Sequence, residues 1–420
     1  MSKKVKSTLG EITLSIFDGK HGDCKDHPHS GYYFISVKDL QEYGIDYSQA
    51  REIDPVDFQQ NYTRTNLENG DTLYANTGDT IGKSLYIKNN PFAKRTSFQK
   101  SVAVLKPNTE HVEPRYLYYL LKYETPRLRK AATGSGQKNL LLSSMRNFEV
   151  SIHDRSTQRK IVETLSCIDD RIQCNYEVND NLQQQLRLMY DYWFNQFDFP
   201  DANGKPYKST GGEMVYSNRL KRYIPAMWKV ESIISNSISS PIKPGIEPFS
   251  VKTYLATADV NGTSISTGSV INYETREGRA NMQPTISSVW FAKMKDSIKH
   301  LFLNREMTQL IDSTILSTGF CGLQCTEKSF EYIATFIEHS YFEDVKNILA
   351  HGATQESVNN DDLSGLAMLV PTSEVLELFH SKAKPLYAQI AQNICENKKL
   401  TEIRDWLLPM LMNGQATISD

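Results

Sequence analysis

The feature that most constrains this 420-residue chain is a heptad pattern of apolar residues that occurs twice, 218 positions apart. Two asparagines interrupt each pattern, Asn175 and Asn179 in the first copy and Asn393 and Asn397 in the second. A polar residue in a heptad seam lowers stability and is retained mostly where it fixes register. The sequence therefore predicts two long helices that pair with each other. The seams comprise Ile161, Leu165, Ile168, Ile172, Leu182, Leu186 and Met189, then Phe379, Ala383, Leu386, Ile390, Leu400, Arg404 and Leu407.

An antiparallel pairing is predicted, because it brings Asn175 opposite Asn397 and Asn179 opposite Asn393, so that each buried amide meets another amide. The same alignment brings Arg404 opposite Ile168, whereas a slip of one residue would bring Ile403 there instead. Both registers remain open at that end. The alternative is that the two helices are amphipathic and pack on separate cores.

The repeat extends beyond the helices, because a segment of about 150 residues precedes each of them and the two segments share a similar order of strands, helix and polar loop. The loops at 134–137 and 352–355 place Gln137 and Gln355 218 residues apart. The predicted fold class is α+β: two mixed α/β domains separated by two long antiparallel coiled-coil helices, with a pseudo-twofold internal repeat. The predicted boundaries are 1–155 for domain 1, 156–197 for long helix 1, 198–225 for a linker, 226–371 for domain 2 and 372–415 for long helix 2.

The composition is that of an ordinary globular protein, with 39% hydrophobic and 23% charged residues. No apolar run is long enough for a bilayer, and six scattered cysteines fit a reducing cytoplasm. Residues 1–155 carry 22 Lys and Arg against 18 Asp and Glu, and the rest carry 25 against 31. Because phosphate neutralisation supplies much of the affinity for DNA, either DNA is not the ligand or other subunits contribute positive charge.

Motifs for catalysis are weak throughout the chain. The run from Gly78 to Ser84 resembles a phosphate-binding loop but is one residue short between its glycines, so a turn between strands is expected. Asn89 to Phe92 resembles part of an adenine-binding clamp of DNA methyltransferases, without its second proline. His21, Cys24, His27 and His29 form a compact cluster with no second ligand cluster nearby, and we expect a solvated loop. No metal site and no catalytic residue are predicted.

The order of these elements, together with several local strings, resembles the specificity subunit of type I restriction-modification systems. The matching strings are Gly70 to Leu73, Ile81 to Lys83, Gly134 to Leu140, Gln158 to Ile161 and Leu400 to Gln415. The second helix departs from the family pattern, because it begins with Thr372 to Val375 where the first begins with Gln158-Arg159-Lys160. Taken singly the strings are weak, but their order covers essentially the whole chain.

The resemblance implies a non-catalytic subunit that binds double-stranded DNA, reads a bipartite site and assembles with two methyltransferase and two restriction subunits. The two α/β domains would then be target recognition domains, and the two long helices would be conserved spacer helices. S-adenosylmethionine, ATP and Mg²⁺ are then expected in the partner subunits and no cofactor in this chain. The first seam covers about 29 residues, or roughly 43 Å at about 1.5 Å per residue, near the roughly 34–36 Å of one DNA turn. The runner-up function is a DNA-binding or assembly adaptor unrelated to restriction, in which the coiled coil is a dimerisation device.

Polar loop residues of both globular domains are the predicted DNA contacts. They are Lys20, Lys25, Lys83, Lys94, Arg95, Gln99, Gln137 and Lys138 in domain 1, and Lys243, Lys252, Arg276, Arg279, Asn281, Gln283 and Gln355 in domain 2. Large apolar residues at the helix ends are the predicted contacts for the methyltransferase, because a two-helix seam cannot cover them all. They are Tyr190, Tyr192, Trp193, Phe194, Trp406, Leu408, Met410 and Leu411. The alternative is that the globular domains pack onto these ends.

Overall fold

The fold was analysed in a computed structural model, which describes residues 4–134, 136–353 and 355–418. Ser135 and Thr354, each part of one predicted polar loop, lie outside the described residues. The chain forms two compact units, the first comprising Met1–Gln173 and Ile403–Asp420 and the second Cys174–Glu402. Each unit therefore includes a part of both predicted long helices.

The first unit contains three small sheets. Its strands are β1 Lys4–Thr8, β2 Thr13–Asp18, β3 Tyr33–Ile35, β4 Arg51–Glu52, β5 Thr72–Ala75, β6 Ser84–Tyr86, β7 Thr96–Phe98, β8 Val102–Pro107 and β9 Glu149–His153. The strand orders are β2-β8-β5-β6, β4-β3-β7 and β1-β9. Only the β3–β7 pair is parallel among the pairs within these sheets. In the four-stranded sheet the edge strand β2 has both buried and exposed residues, whereas the central strand β5 is wholly buried, as expected for edge and central strands.

Helices α1 Pro55–Thr65, α2 Pro114–Ala131 and α3 Leu142–Arg146 pack against these sheets. Asp54 caps α1, because its side chain accepts a hydrogen bond from the backbone N–H of Val56 and Pro55 follows it. The long helix α4, Arg155–Tyr190, also follows an aspartate, Asp154. The Asp154 carboxylate accepts hydrogen bonds from the Thr157 backbone N–H and hydroxyl, both at 3.0 Å, which satisfies donors that the first turn leaves open.

The second unit repeats this arrangement of strands. Its strands are β10 Met214–Ser217, β11 Arg222–Pro225, β12 Lys229–Ser232, β13 Ser239–Pro241, β14 Lys252–Leu255, β15 Val260–Asn261, β16 Ser264–Ile265, β17 Ser269–Ile271, β18 Ala280–Met282, β19 Ser288–Ala292, β20 His300–Leu303, β21 Thr314–Ser317, β22 Phe320–Cys325 and β23 Ala367–Val370. The order β13-β22-β19-β20 corresponds to β2-β8-β5-β6 of the first unit, and β12-β23 corresponds to β1-β9. The sheet β17-β14-β21-β18 again has one parallel pair, β14–β21.

The helices of the second unit are α5 Thr308–Ser313, α6 Phe330–Glu338, α7 Ser340–Leu349 and α8 Asn360–Leu363. The second long helix is α9, Ser373–Asn413. The two units differ in the helices that follow the long central strand: the first unit has the single helix α2 after β8, whereas the second has α6 and α7 after β22. The coarse prediction of a mixed α+β chain is confirmed.

The two long helices have bounds close to those predicted. Helix α4 ends at Tyr190 and a π-helical turn, Asp191–Asn195, continues it, whereas the prediction extended to residue 197. Helix α9 ends at Asn413, two residues before the predicted end. Within the residues described, no helix is long and apolar enough to cross a membrane.

The segment predicted as a linker, 198–225, is ordered and belongs to the second unit. It contains the hairpin of β10 and β11. Its Phe199 ring stacks on Tyr207 and on Trp228, with centroids 4.7 and 5.0 Å apart. The linker prediction relied on Gly, Pro and Ser content, and this aromatic packing explains why the segment folds nevertheless.

Candidate nucleic-acid interface

Gly134 of the first unit and Gly352 of the second have similar backbone conformations and similar surroundings. Gly134 and Gly352 have φ angles of +127° and +143°, a region that residues with a side chain rarely adopt. A Cβ atom at either position would collide with the carbonyl oxygen of Gln137 or Gln355, respectively. Isolated bridges, Thr133 to Asn139 and His351 to Ser357, close the two loops in the same way. Each unit therefore presents an exposed glutamine on a constrained loop.

Next to the first of these loops lies the turn that resembles a phosphate-binding loop. Its residues Gly78–Thr80 form a single 3₁₀ turn between β5 and β6, as expected for a turn between strands. The Gly78 N–H donates a 2.7 Å hydrogen bond to the carbonyl oxygen of Lys138. Gln137 contacts Gly78 closely enough that its amide nitrogen would lie 3.2 Å from an added Cβ. The turn and the loop thus form one surface that exposes Gln137 and Lys138.

Lys83 makes a hydrogen bond within its own unit, and Lys299 makes an equivalent one in the second unit. The Lys83 ammonium group donates to the carbonyl oxygen of Val37 at 3.2 Å, and Lys299 donates to that of Thr257 at 2.5 Å. Both acceptors belong to a 3₁₀ turn that follows a strand. Partial burial lowers the pKa of Lys83. Its predicted phosphate contact stays a prediction, but this ammonium group also stabilises the fold.

Lys20 and Lys25 both meet Asp57, at the first turn of α1. The Lys20 ammonium lies 3.3 Å from the Asp57 carboxylate, and the Lys25 backbone N–H donates to the same carboxylate at 2.7 Å. Burial lowers the pKa of Lys20, but hydrogen bonding to Asp57 and its charge outweigh that effect, so the net shift is upward. The Lys25 side chain is exposed. Lys20 therefore carries a charge that Asp57 already balances in part.

The remaining predicted residues of the first unit lie between β6 and β8. Lys94 and Arg95 are exposed on the 3₁₀ turn Ala93–Arg95. Gln99 is half-buried and forms a bridge with Lys20. The predicted histidine and cysteine cluster lies on a nearby segment, where Cys24 is buried and accepts a contact of 3.2 Å from the Asn61 amide. No group of three metal-ligating side chains is arranged to hold an ion in the part of the chain that the structure describes.

Of the residues of the second unit that are predicted to contact DNA, some have side-chain partners within the unit and others are exposed. Lys252 donates to the side-chain oxygen of Gln283 at 3.1 Å. The Arg276 guanidinium lies 4.0 Å from the centre of the Tyr273 ring and donates to the Tyr273 carbonyl. The Gln355 amide contacts the Met294 sulfur at 3.4 Å. Lys243 and Arg279 are exposed, and Asn281 is half-buried.

Both predicted asparagine contacts are present within the second unit. The Asn175 amide donates to the Asn397 side-chain oxygen, and the Asn393 amide donates to that of Asn179, each at 2.8 Å. All four residues are buried. The order of the two contacts along α4 and α9 is antiparallel, as the sequence predicts. Their role in fixing register stays a prediction.

The one-residue slip proposed for the other end of the seam is wrong. Arg404 is buried, whereas Ile403 is 49% exposed. In the first unit the Arg404 guanidinium lies 3.1 Å from Asp169, 2.8 Å from Glu42 and 2.7 Å from the Tyr43 hydroxyl. An ionic cluster therefore accommodates the arginine that an apolar seam could not.

The large apolar residues predicted to contact the methyltransferase are mostly covered by the chain itself. Tyr190, Trp193 and Phe194 are buried in the core of the second unit with Trp228, Tyr332 and Phe379. Leu408 and Leu411 are buried in the core of the first unit, and Met410 is half-buried. Tyr192 and Trp406 remain exposed, at 41% and 62%. The alternative, that the globular domains pack onto these ends, explains the five buried residues.

The fold and this surface define a class of protein with two matching α+β units, a constrained loop in each and two long helices shared by both. Residues 6–184 match the family described as the type I restriction modification DNA specificity domain. The chain is 23% identical to the type I restriction enzyme HindI specificity subunit of Haemophilus influenzae, over 99% of this chain and 100% of that protein. It is 24% identical to the type I restriction enzyme MjaIX specificity subunit of Methanocaldococcus jannaschii, over 80% of this chain and 75% of that protein.

Among solved structures, the S subunit of a type I restriction-modification system from M. genitalium aligns with 98% of this chain and 96% of that chain, at 15% identity and a TM-score of 0.49. The family resemblance drawn from the sequence is confirmed. Residues 6–184 match the model of the type I restriction modification DNA specificity domain, and the chain is similar to type I specificity subunits over 80–99% of its length.

Proposed function

We propose that this chain is the DNA sequence-recognition subunit of a type I restriction-modification complex. In this role each unit reads one half of a bipartite site in double-stranded DNA. The chain itself catalyses no reaction. Two methyltransferase subunits bind it and supply S-adenosylmethionine, and two motor-nuclease subunits supply the chemistry that needs ATP and Mg²⁺.

The observation that carries the proposal is the match between the two units in strand order and in the constrained loop. Each loop exposes a glutamine, Gln137 or Gln355, on a backbone that glycine alone permits. A glutamine side chain can donate and accept at the edge of a base. Two such loops on duplicated frameworks suit a protein that reads two short sequences rather than one long one.

The long helices α4 and α9 would form an antiparallel coiled coil that sets the spacer between the half-sites. The two asparagine contacts support this, because a buried polar pair in a seam favours one register over its neighbours. A fixed register gives a fixed spacer length. The net charge of −2 fits a subunit whose partners provide part of the positive surface around the DNA.

The test is to reconstitute the chain with the methyltransferase subunits of its own system and to sequence the modified adenines in DNA treated with the complex. We expect a bipartite motif with a constant spacer. Gln137→Ala should relax one half-site and Gln355→Ala the other, whereas Gln185→Ala, at an exposed position of α4, should leave the motif intact.

A contiguous motif, or one half-site relaxed by both loop variants, would contradict the assignment of one half-site to each unit. A chain that forms a stable dimer and binds DNA without stimulating methylation would instead favour an adaptor unrelated to restriction.

A further inference from the structure

The second unit contains an open groove of 580 Å³ beside the outer strand of its mixed sheet. Tyr254 of β14 forms part of its floor and is almost fully buried. Strand β17 supplies one wall, and the 3₁₀ turn Thr257–Asp259 supplies another. Arg279, immediately before β18, also lines the groove. An open groove that combines an aromatic side chain with convergent polar groups is typical of a binding site.

The Arg279 side chain is exposed and makes no hydrogen bond or ion pair with any residue that the structure describes. Its backbone, by contrast, is fixed, because the carbonyl oxygen accepts hydrogen bonds from the N–H groups of Asn281 and Thr318, both at 2.9 Å. The nearby Asp259 carboxylate is engaged elsewhere: it accepts from the Ala256 N–H at 2.9 Å and from the Ser266 hydroxyl at 3.1 Å. A guanidinium on a fixed backbone, without an internal partner, is suited to an external acceptor.

Two valines bring apolar surface to the same groove. Val270 on β17 is 79% exposed and Val251 is 64% exposed. Asn272 and Glu277 also line the groove. The Asn272 side-chain oxygen is occupied by the Thr275 N–H and hydroxyl, which leaves its amide nitrogen as a donor. The groove therefore combines a bidentate donor, an amide donor, a carboxylate acceptor and apolar contacts, which are the four kinds of group that base edges in the major groove bind.

The corresponding edge of the first unit is different. There β4 pairs with β3 as β17 pairs with β14. Arg51 of β4 is neutralised internally by Asp23 and Asp26. Phe34, the counterpart of Tyr254 in the parallel strand pair, is buried in a cluster with Phe58 of α1. The first unit thus fills with its own residues the edge that the second unit leaves open.

We infer that this groove is a further base-reading site of the second unit, in addition to the loop that carries Gln355, and that Arg279 recognises a guanine in duplex DNA by bidentate donation to its O6 and N7 atoms. This inference rests on the proposed function, since it concerns how one unit of a DNA-recognition subunit reads its half-site. Val270 and Val251 would contact a neighbouring base through apolar surface, such as a thymine methyl group. The second unit then reads its half-site with this groove as well as with its loop.

The experiment selects bound sequences from a randomised duplex DNA pool with the full chain assembled with its methyltransferase subunits. Three variants are compared with the unmodified chain: Arg279→Ala, Arg279→Lys and Arg305→Ala. Arg305 is the matched control, because its side chain is 73% exposed in the same unit, outside the groove. Binding of selected duplexes is then measured over a range of salt concentrations.

Arg279→Ala should lose the preference for guanine at one base pair of one half-site, by roughly 5- to 150-fold, with the other half-site unchanged. Arg279→Lys keeps the charge but not the planar fork, so it should preserve the salt dependence while still losing discrimination at that base pair. Arg305→Ala should retain the whole motif.

An unchanged motif for Arg279→Ala would overturn the inference, as would a uniform loss of affinity for all sequences, which indicates a phosphate contact. If the unmodified complex selects no bipartite motif, the proposed function itself fails. The two failures are therefore distinguishable.

Discussion

Arg404 and Asp169 form a buried ion pair in the first unit, with 3.1 Å between a guanidinium nitrogen and a carboxylate oxygen. The hydroxyl of Tyr119, on α2, donates to the other oxygen of Asp169 at 2.6 Å. Burial opposes the charge on Arg404, but Tyr43, Glu42 and Asp169 outweigh it and raise the pKa of the guanidinium. Residues from α2, α4, α9 and the loop at 42–43 thus depend on one another at this point.

Loss of one member of this pair should be costly. Arg404→Ala removes the nearer of the two cations beside the buried Asp169 carboxylate and leaves Arg115 at 3.8 Å, and we expect the first unit to lose about 3–5 kcal/mol of unfolding free energy. Arg404→Met combined with Asp169→Leu should cost less than the single change, since neither member of the pair is left buried without the other. The unfolding free energies of the single and the double variant are measured by urea unfolding, with hydrogen exchange at the amides of β9 and α2 as the readout.

The control for this prediction is Arg159→Ala. Arg159 pairs with Glu113 at 3.0 Å, but its side chain is 67% exposed, and exposed pairs contribute about 0–1 kcal/mol. Equal losses for Arg159→Ala and Arg404→Ala would refute the view that burial makes the Arg404 pair important.

A carboxyl group of the second unit predicts a dependence of stability on pH. Burial raises the pKa of Glu338 to about 7, although Arg187 and Tyr387 oppose the shift. The folded state then binds the proton more tightly than the unfolded state, so this contribution is fully present below about pH 4.5 and is lost as pH rises through 7. In the unmodified chain this loss amounts to roughly 3 kcal/mol between these limits, and Glu338→Gln should abolish it.

Tryptophan fluorescence suits this measurement, because Trp193, Trp228 and Trp290 are buried in the second unit. Urea midpoints at pH 5 and pH 8 should differ less for Glu338→Gln than for the unmodified chain. If the difference persists in full, a group other than Glu338 is responsible.

Local patterns in the sequence predicted the parts of the fold that local physics controls. The heptad period identified both long helices, and the spacing of four asparagines predicted their two contacts, because register along a helix is set by counting residues. Isolated polar loops with glycine were likewise predictable, since only glycine permits the backbone at Gly134 and Gly352.

Contacts between segments distant in sequence could not be predicted in this way. The seam count selected Ile168, but the structure buries Asp169, because Arg404 and Tyr119 supply its partners from other elements. The aromatic end of α4 was predicted to contact a partner subunit or to be covered by the globular domains, because nothing in its own sequence revealed that Trp228 and Phe379 would pack on it. The groove beside Tyr254 depends on strand order, which is set by non-local pairing.

The four buried asparagines are expected to lower the stability of the helix pair while they fix its register. Replacement of Asn175, Asn179, Asn393 and Asn397 together by Leu should stabilise the pairing of α4 with α9 but allow more than one register. The sequencing of methylated sites should then show several spacer lengths for the same two half-sites. One unchanged spacer, with unchanged assembly, would mean that the asparagines are not needed for register.

The two halves of the predicted partner surface on α9 should now behave differently. Leu411 is buried in the core of the first unit, so Leu411→Ala should lower stability by about 2–5 kcal/mol through the cavity it leaves.

Trp406 is 62% exposed, and a large exposed aromatic residue is a frequent hot spot for binding. Trp406→Ala should therefore leave the thermal unfolding of the isolated chain nearly unchanged while weakening co-purification with the methyltransferase. Lys399→Ala, at an exposed position of the same helix, serves as the control for both measurements. A Trp406→Ala chain that binds its partner normally would limit the surface to Tyr192 or place it elsewhere.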